Sequence, residues 1–321
     1  MKQTKSILEL AQKYLAQRRA LGFVLRVESR HLLNFASFAD RVQPEKPLTF
    51  KIAVQWARLP RQSSPCYHAR RLAVVRRFAL YCAAFDPQVE VPPANYLGPS
   101  SRRPQPHIYS ASEIGRLLKT ARQLKPLDSL RPKSFETLIG LLASTGLRLS
   151  EALRLEVTDV DLQNGVLAVR ESKGGKSRLV PVHNSTLRRL RQFRRERDLH
   201  ARGSSSVKFF LSENGHSVST GAAQHTFRKL RVCLGIPNER PQARWHDFRH
   251  TFACHRLLLW CRSKHCDHHI LWLSRYLGHR RVSDTYWYLT AIPKLFGRVV
   301  SHFEKYWQHR NDSPNEKPRN S

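Results

Sequence analysis

The hydrophobic rhythm divides the chain. In "SILELAQKYLAQRRALGF" the apolar residues Ile7, Leu8, Ala11, Leu15 and Leu21 recur at helical spacing, which predicts an amphipathic helix. "ESRHLLNFASFADRV", "TFKIAVQWARL" and "PCYHARRLAVVRRFALYCAAF" repeat the style, so residues 1–98 read as all-helical. The stretch 91–107, "VPPANYLGPSSRRPQPH", breaks every periodicity with Pro, Ser and Arg and predicts an interdomain connection, with the linker proper at 99–109. "SASE" opens the next helix, with Ser110 as N-cap and Glu113 three residues on as a capping-box partner. "LEVTDVDLQNGVLAVRESKGGKSRLVPVH" alternates in the manner of strands, with Asn164-Gly165 and the "KGG" at 173–175 as tight turns. Helices resume near residue 184. The expected fold is mainly α with a small antiparallel β-sheet: a helical domain at 1–98, a second domain at 110–310, and a polar tail at 311–321 with too little apolar surface to order.

Charge narrows the class. The chain of 321 residues carries 56 Lys plus Arg against 24 Asp plus Glu, a formal net charge of +32. Such an excess points to a polyanionic partner, and nucleic acid is the commonest. Arg70, Arg71, Arg76 and Arg77 interleave with the apolar face of one helix and are candidate contacts to a DNA backbone; the bland alternative is a solvated helix face. An anionic membrane is the rival partner, but runs such as "LIGLLA" and "LLLW" are far too short to span a bilayer. The start "MKQTKSILEL" reads as a helix rather than a secretion signal, which predicts a cytoplasmic protein whose six cysteines are reduced thiols.

Four separated segments carry candidate chemistry. In "STGLRLSEALRL" a helix stops at Gly146 and Ser150 suits the N-cap of the next. Arg148 then stands at a helix N-terminus, where free N–H groups favour an anion, and Glu151 can brace its guanidinium. "SKGGKSR" places Lys173 and Lys176 at or beside a hairpin turn, which matters only if the hairpin leans over a site. In "RWHDFRHTFACHRL" Asp247 suits an N-cap, so His246 and Arg249 share one helix mouth, while His250 and His255 are read as packing or surface residues. In "YLGHRRVSDTYWYLT" a helix stops at Gly278, His279 follows in a turn, and a short helix carries Tyr286 and Tyr288. Two arginines, two histidines, a lysine and a tyrosine, without paired carboxylates, suit a pentavalent phosphorane transition state. The arginines can neutralise non-bridging oxygens, the tyrosine can attack phosphorus, and a lysine or histidine can protonate the leaving oxygen. No metal or other cofactor is required, because the arginines supply the positive charge. "CRSKHCDHH" at 261–269 matches no standard zinc spacing and is read as a polar loop.

"TGLRLSE", "KGGKSRLVPVH", "HDFRHTFA" and "LGHRRVSDTYWY", in this order, resemble the signature boxes of the tyrosine recombinases, the family of phage integrases and Xer-type recombinases. The resemblance spans roughly 110–300. It implies a SAM-like helical core-binding domain ahead of a catalytic domain. It further implies Arg148 and Arg249 as phosphate clamps, Lys173 as acid for the 5′-hydroxyl leaving group, His246 and His279 as phosphate or proton partners, and Glu151 as support. The family's nucleophile lies nine residues after the Gly-His histidine, which selects Tyr288. The implied reaction cleaves and rejoins DNA through a 3′-phosphotyrosyl intermediate, usually with four protomers, identical or mixed, on two duplexes at specific sites. The longer connection "LLLWCRSKHCDHHILWLSRYLGH" resembles a subgroup associated with transposable elements. Two other readings share the motifs: a cleavage-inactive DNA-binding accessory protein, and a type IB topoisomerase-like enzyme that relaxes DNA. Past Tyr288, Ile292, Leu295, Phe296, Val299, Val300, Phe303 and Trp307 form an apolar helical stripe suited to packing on its own domain or on a neighbouring protomer.

Overall fold

The computed structural model of the chain describes residues 6–100, 105–170, 177–200, 206–235, 242–260, 266–279 and 281–290, without the side chains of 266–268, 287, 289 and 290. The chain falls into two compact units, Met1–Pro104 and Gln105–Ser321. The tail, the apolar stripe beyond Tyr288, most of the Cys/His loop, Lys173 and Lys176 lie outside the described residues.

Among the described residues of the first unit, the helices α1 (Ile7–Ala20), α2 (Arg26–Val42), α3 (Phe50–Arg58) and α4 (Pro65–Ala83) bury one core. The predicted stripe is visible in α1, where Ile7, Ala11 and Leu15 face inward, although Leu21 ends exposed just beyond the helix. Asp40 of α2 accepts the backbone N–H groups of Ile7 and Leu8 and so satisfies orphan donors of α1. Trp56 is fully buried against Phe35, and its indole N–H donates to Asn34. The segment after α4 is irregular but not loose: Val91 and Leu97 pack on this core, and Arg76 donates to the carbonyl of Pro92.

The arginines of α4 divide. Arg70 and Arg77 are exposed. Arg71 corrects the expected surface contact: it is buried, its guanidinium lies 3.6 Å from the Trp56 ring centroid, and it donates to the Trp56 carbonyl at 2.8 Å. Position 71 lies one residue before buried Leu72 and three before Val74, so the helix turns it inward, where ring and carbonyl replace water.

The second unit is helical around a three-stranded sheet. Its elements are α5 (Ala111–Arg122), α6 (Leu130–Thr145), α7 (Leu149–Arg154), β1 (Val160–Asp161), β2 (Val166–Val169), β3 (Arg178–Pro181), α8 (Asn184–His200), α9 (Thr220–Leu230), α10 (Trp245–Trp260), α11 (Cys266–Leu277) and α12 (Ser283–Thr290). The sheet is antiparallel in the order β1-β2-β3, with Val169 opposite Arg178 at the base of the second hairpin. The capping box at Ser110 and Glu113 is present in both directions. Tyr109, expected in the linker, belongs to this unit's core: its ring stacks on Phe248 at 4.4 Å and its hydroxyl donates to the Arg244 carbonyl. The core centres on α6, whose Leu138, Ile139 and Leu142 are buried with Leu167, Val180, Phe193 and Phe248. A second cluster of Phe252, Leu257, Ile270, Leu273, Leu277 and Tyr288 ties α10, α11 and α12 together. Among the described residues no helix is long and apolar enough to cross a membrane.

Candidate active site

Three chain reversals converge at one place. The first is the end of α6, where Gly146 takes φ +64° as a left-handed cap. A side chain there would put its Cβ 2.6 Å from a ring carbon of Phe252, so both the backbone and the packing require glycine. The next helix starts earlier than expected: Arg148, not Ser150, holds the N-cap position of α7, and Ser150 is exposed. The Glu151 carboxylate reaches back to accept the Arg148 backbone N–H at 2.9 Å and its guanidinium at 2.6 Å. Glu151 is 2% exposed while the Arg148 side chain stays 21% exposed, so the acid is sealed and the arginine can still meet a ligand.

The second reversal opens α10. Asp247 is not the N-cap; from the first turn it accepts the Arg244 N–H at 2.8 Å and the Arg244 guanidinium at 2.9 Å. Arg249 is 1% exposed. Its guanidinium donates to the carbonyl of Gly146 at 3.1 Å and to that of Leu277 at 2.6 Å, the C-terminal ends of α6 and α11. Carbonyls at helix C-termini carry partial negative charge and suit a buried cation. Burial lowers the Arg249 pKa to about 10, which still leaves it charged at neutral pH.

The third reversal is the end of α11. Gly278 takes φ +68°, and His279 follows. His279 Nδ1 lies 2.7 Å from the Thr285 hydroxyl, and its Nε2 lies 3.5 Å from the Tyr288 hydroxyl. Burial, then the charge of Arg249, holds His279 down at about 4, so the imidazole is neutral at pH 7. Tyr288 is 3% exposed. Burial raises its pKa, and the charge and hydrogen bond of Arg249 oppose that rise. Tyr286 faces solvent at 52% exposure. Two residues on a helix are about 200° apart, so burying one tyrosine turns the other out.

Arg148, Glu151, Arg249, His279 and Tyr288 are thus brought together. His246 is joined to them through His250, whose ring lies 4.9 Å from His246 and 5.2 Å from Tyr288. His250, read from the sequence as a packing or surface residue, is buried, and it stands four residues after His246, on the same helix face. Sequence reading also missed Arg178. Its side chain donates to both oxygens of Glu151, at 3.2 and 2.9 Å, and to the Tyr276 carbonyl at 2.8 Å. A signal was available, because strand alternation puts Arg178 on the same face as buried Val180, and a charge facing inward requires a buried partner. Burial alone would raise the Glu151 pKa, but the hydrogen bonds from Arg178 and Arg148 hold it at about 2.

Residues 109–293 match the phage integrase family. The chain is 38% identical over 309 residues to y4rB of Sinorhizobium fredii (strain NBRC 101917 / NGR234), named as an integrase/recombinase, covering 94% of this chain and 98% of that one. The chain belongs to the phage integrase family of tyrosine recombinases. The tyrosine recombinase XerC of Xanthomonas campestris pv. campestris (strain B100) is 32% identical over 195 residues, 60% of this chain and 56% of XerC. The fold is shared with the Tn1549 transposon integrase in complex with transposon right end DNA, at a TM-score of 0.68, with 16% identity over 94% of this chain and 99% of that one. As a tyrosine recombinase the chain is an enzyme of site-specific DNA strand cleavage and joining.

Proposed function

We propose that Tyr288 is the nucleophile and that Arg148 and Arg249 clamp the scissile phosphate. The observation that carries this reading is the meeting of one buried tyrosine, a neutral histidine and two arginines held by Glu151 and by helix-end carbonyls. The phenol oxygen attacks phosphorus, the phosphodiester passes to Tyr288, and the 5′-oxygen leaves with a proton from Lys173. His246 and His279 bind the phosphate oxygens or carry the tyrosine's proton. Attack by a 5′-hydroxyl on the phosphotyrosine reverses the step in a new strand. The arginines stabilise the phosphorane charge, so the chemistry calls for no divalent ion.

In this reading the helical first unit is the SAM-like core-binding domain. Arg70 and Arg77 lie on its exposed surface and contact duplex backbone, as does Lys176. Protomers of this chain, alone or with companion recombinases, assemble as a tetramer on two duplexes in the cytoplasm, and the DNA sites are those of a mobile element. The net charge of +32 and the transposon integrase fold support this setting. The test pairs two reactions in EDTA. Strand exchange between duplexes taken from the DNA flanking the coding sequence is expected. Relaxation of a site-free plasmid without such exchange would favour the topoisomerase-like reading, and binding without either would favour the inactive accessory protein.

A further inference from the structure

Arg178 joins the elements on which the proposed clamp depends. It starts β3, yet its side chain is only 12% exposed. Its fork closes on Glu151 of α7, and its Nε reaches the Tyr276 carbonyl of α11. The next residue of α11, Leu277, supplies a carbonyl to Arg249. Gly278 lies against the same guanidinium: a Cβ there would stand 3.0 Å from Nη1 and 3.2 Å from Cζ of Arg178. One cation therefore bears on the helix of Arg148, the anchor of Arg249 and the turn before His279.

The charge count gives this contact a chemical consequence. Glu151 alone would neutralise Arg148. With Arg178 also on the carboxylate, the group of three keeps one net positive charge to offer a phosphate. The bidentate fork occupies both carboxylate oxygens, while Arg148 side-chain contact with Glu151 is through Nη1. We propose, resting on the clamp reading above, that Arg178 is a positioning residue that keeps Arg148 electrostatically available to the scissile phosphate while fixing the turn that carries His279.

The test uses a duplex that the full-length chain cleaves, made with either a natural phosphodiester or a methylphosphonate at the cleaved position. The methylphosphonate has lost one anionic oxygen and needs less positive charge. Arg178→Met is expected to bind DNA as the parent does and to lose phosphodiester cleavage by roughly a hundredfold, the scale of one lost transition-state donor. On the methylphosphonate its deficit should shrink to less than roughly tenfold, following Arg148→Ala as the control. Equal deficits on both substrates, or no deficit, would overturn the proposal. If Arg178→Met does not fold, the double variant Arg178→Met/Glu151→Gln strands no buried carboxylate and leaves Arg148 its charge. Its deficits on the phosphodiester and the methylphosphonate should lie within roughly tenfold of each other, and a folded double variant that still loses the phosphodiester roughly a hundredfold more than the methylphosphonate would equally refute the charge role. Failure of the unaltered chain to form any covalent adduct would instead remove the clamp reading itself.

Discussion

The hydroxyl of Tyr288 lies 3.5 Å from Nε2 of His279, and the other nitrogen of that ring is 2.7 Å from the hydroxyl of Thr285. Thr285 and Tyr288 are three residues apart on α12, neighbours on one face. The helix that presents the tyrosine therefore also orients the histidine beside it. Fixing Nδ1 turns Nε2 toward the Tyr288 hydroxyl.

Thr285→Val should separate this orientation from packing. The isostere fills the same space but cannot hydrogen-bond Nδ1. Cleavage is expected to fall by roughly tenfold, the rate equivalent of about one hydrogen bond, with DNA affinity unchanged. Thr285→Ser should retain most of the activity. Equal rates for Thr285→Val and the parent would show that the contact does not orient His279.

Arg249→Lys preserves charge but loses the two-pronged contact with the Gly146 and Leu277 carbonyls. An ammonium cannot span both helix ends and still face a phosphate. Single-turnover cleavage should drop by roughly two to three orders of magnitude while filter binding persists. A lysine variant that cleaves like the parent would mean that position 249 supplies charge alone.

Two left-handed glycines allow the Gly146 constraint to be split. Gly235, at φ +64°, has nothing within 4 Å of where a Cβ would stand, whereas a Cβ on Gly146, at the same φ, would meet Phe252. Gly235→Ala should cost about 1 kcal/mol of backbone strain. Gly146→Ala should cost about 1–3 kcal/mol more, the scale of an overpacked core site, read from denaturant midpoints. Equal losses would show that Phe252 yields without cost.

Acid should destabilise the free protein before its carboxylates protonate. Burial, with the charge of nearby His246, lowers His250 to about 3, and burial with Arg249 lowers His279 to about 4, from 6.5. Between those values and 6.5 the unfolded chain binds more protons, so stability falls as pH drops through that window. Glu151, held at about 2 against 4.5, adds a further loss below 4.5. The melting temperature should decline from pH 6.5 to 4, and His250→Phe should flatten the slope. A pH-independent melting temperature across that range would contradict the burial of these rings.

Much of this was legible in the sequence because short-range rules set it. The capping box at Ser110, the glycine stop at 146 and the strand alternation before and after Gly165 depend on neighbours a few residues away. So does the burial of Tyr288 with Tyr286 left exposed, which helical rotation sets. What escaped was decided by partners far along the chain. Arg71 is drawn inward by Trp56, Arg178 is explained only by Glu151, and Tyr109 leaves the linker because Phe248 and Arg244 receive it. The caps of α7 and α10 shifted because the acids at 151 and 247 reach backward to N–H groups rather than capping from in front.

The central claim is that Tyr288 makes the covalent bond to DNA. The most direct measurement traps the protein on a nicked duplex, resolves it on a denaturing gel and maps the phosphotyrosyl peptide. Tyr288→Phe should bind the duplex normally and give no adduct, while Tyr286→Phe, altered only at an exposed ring, should give the adduct at Tyr288. An adduct on Tyr286, or one that survives in Tyr288→Phe, would contradict the account.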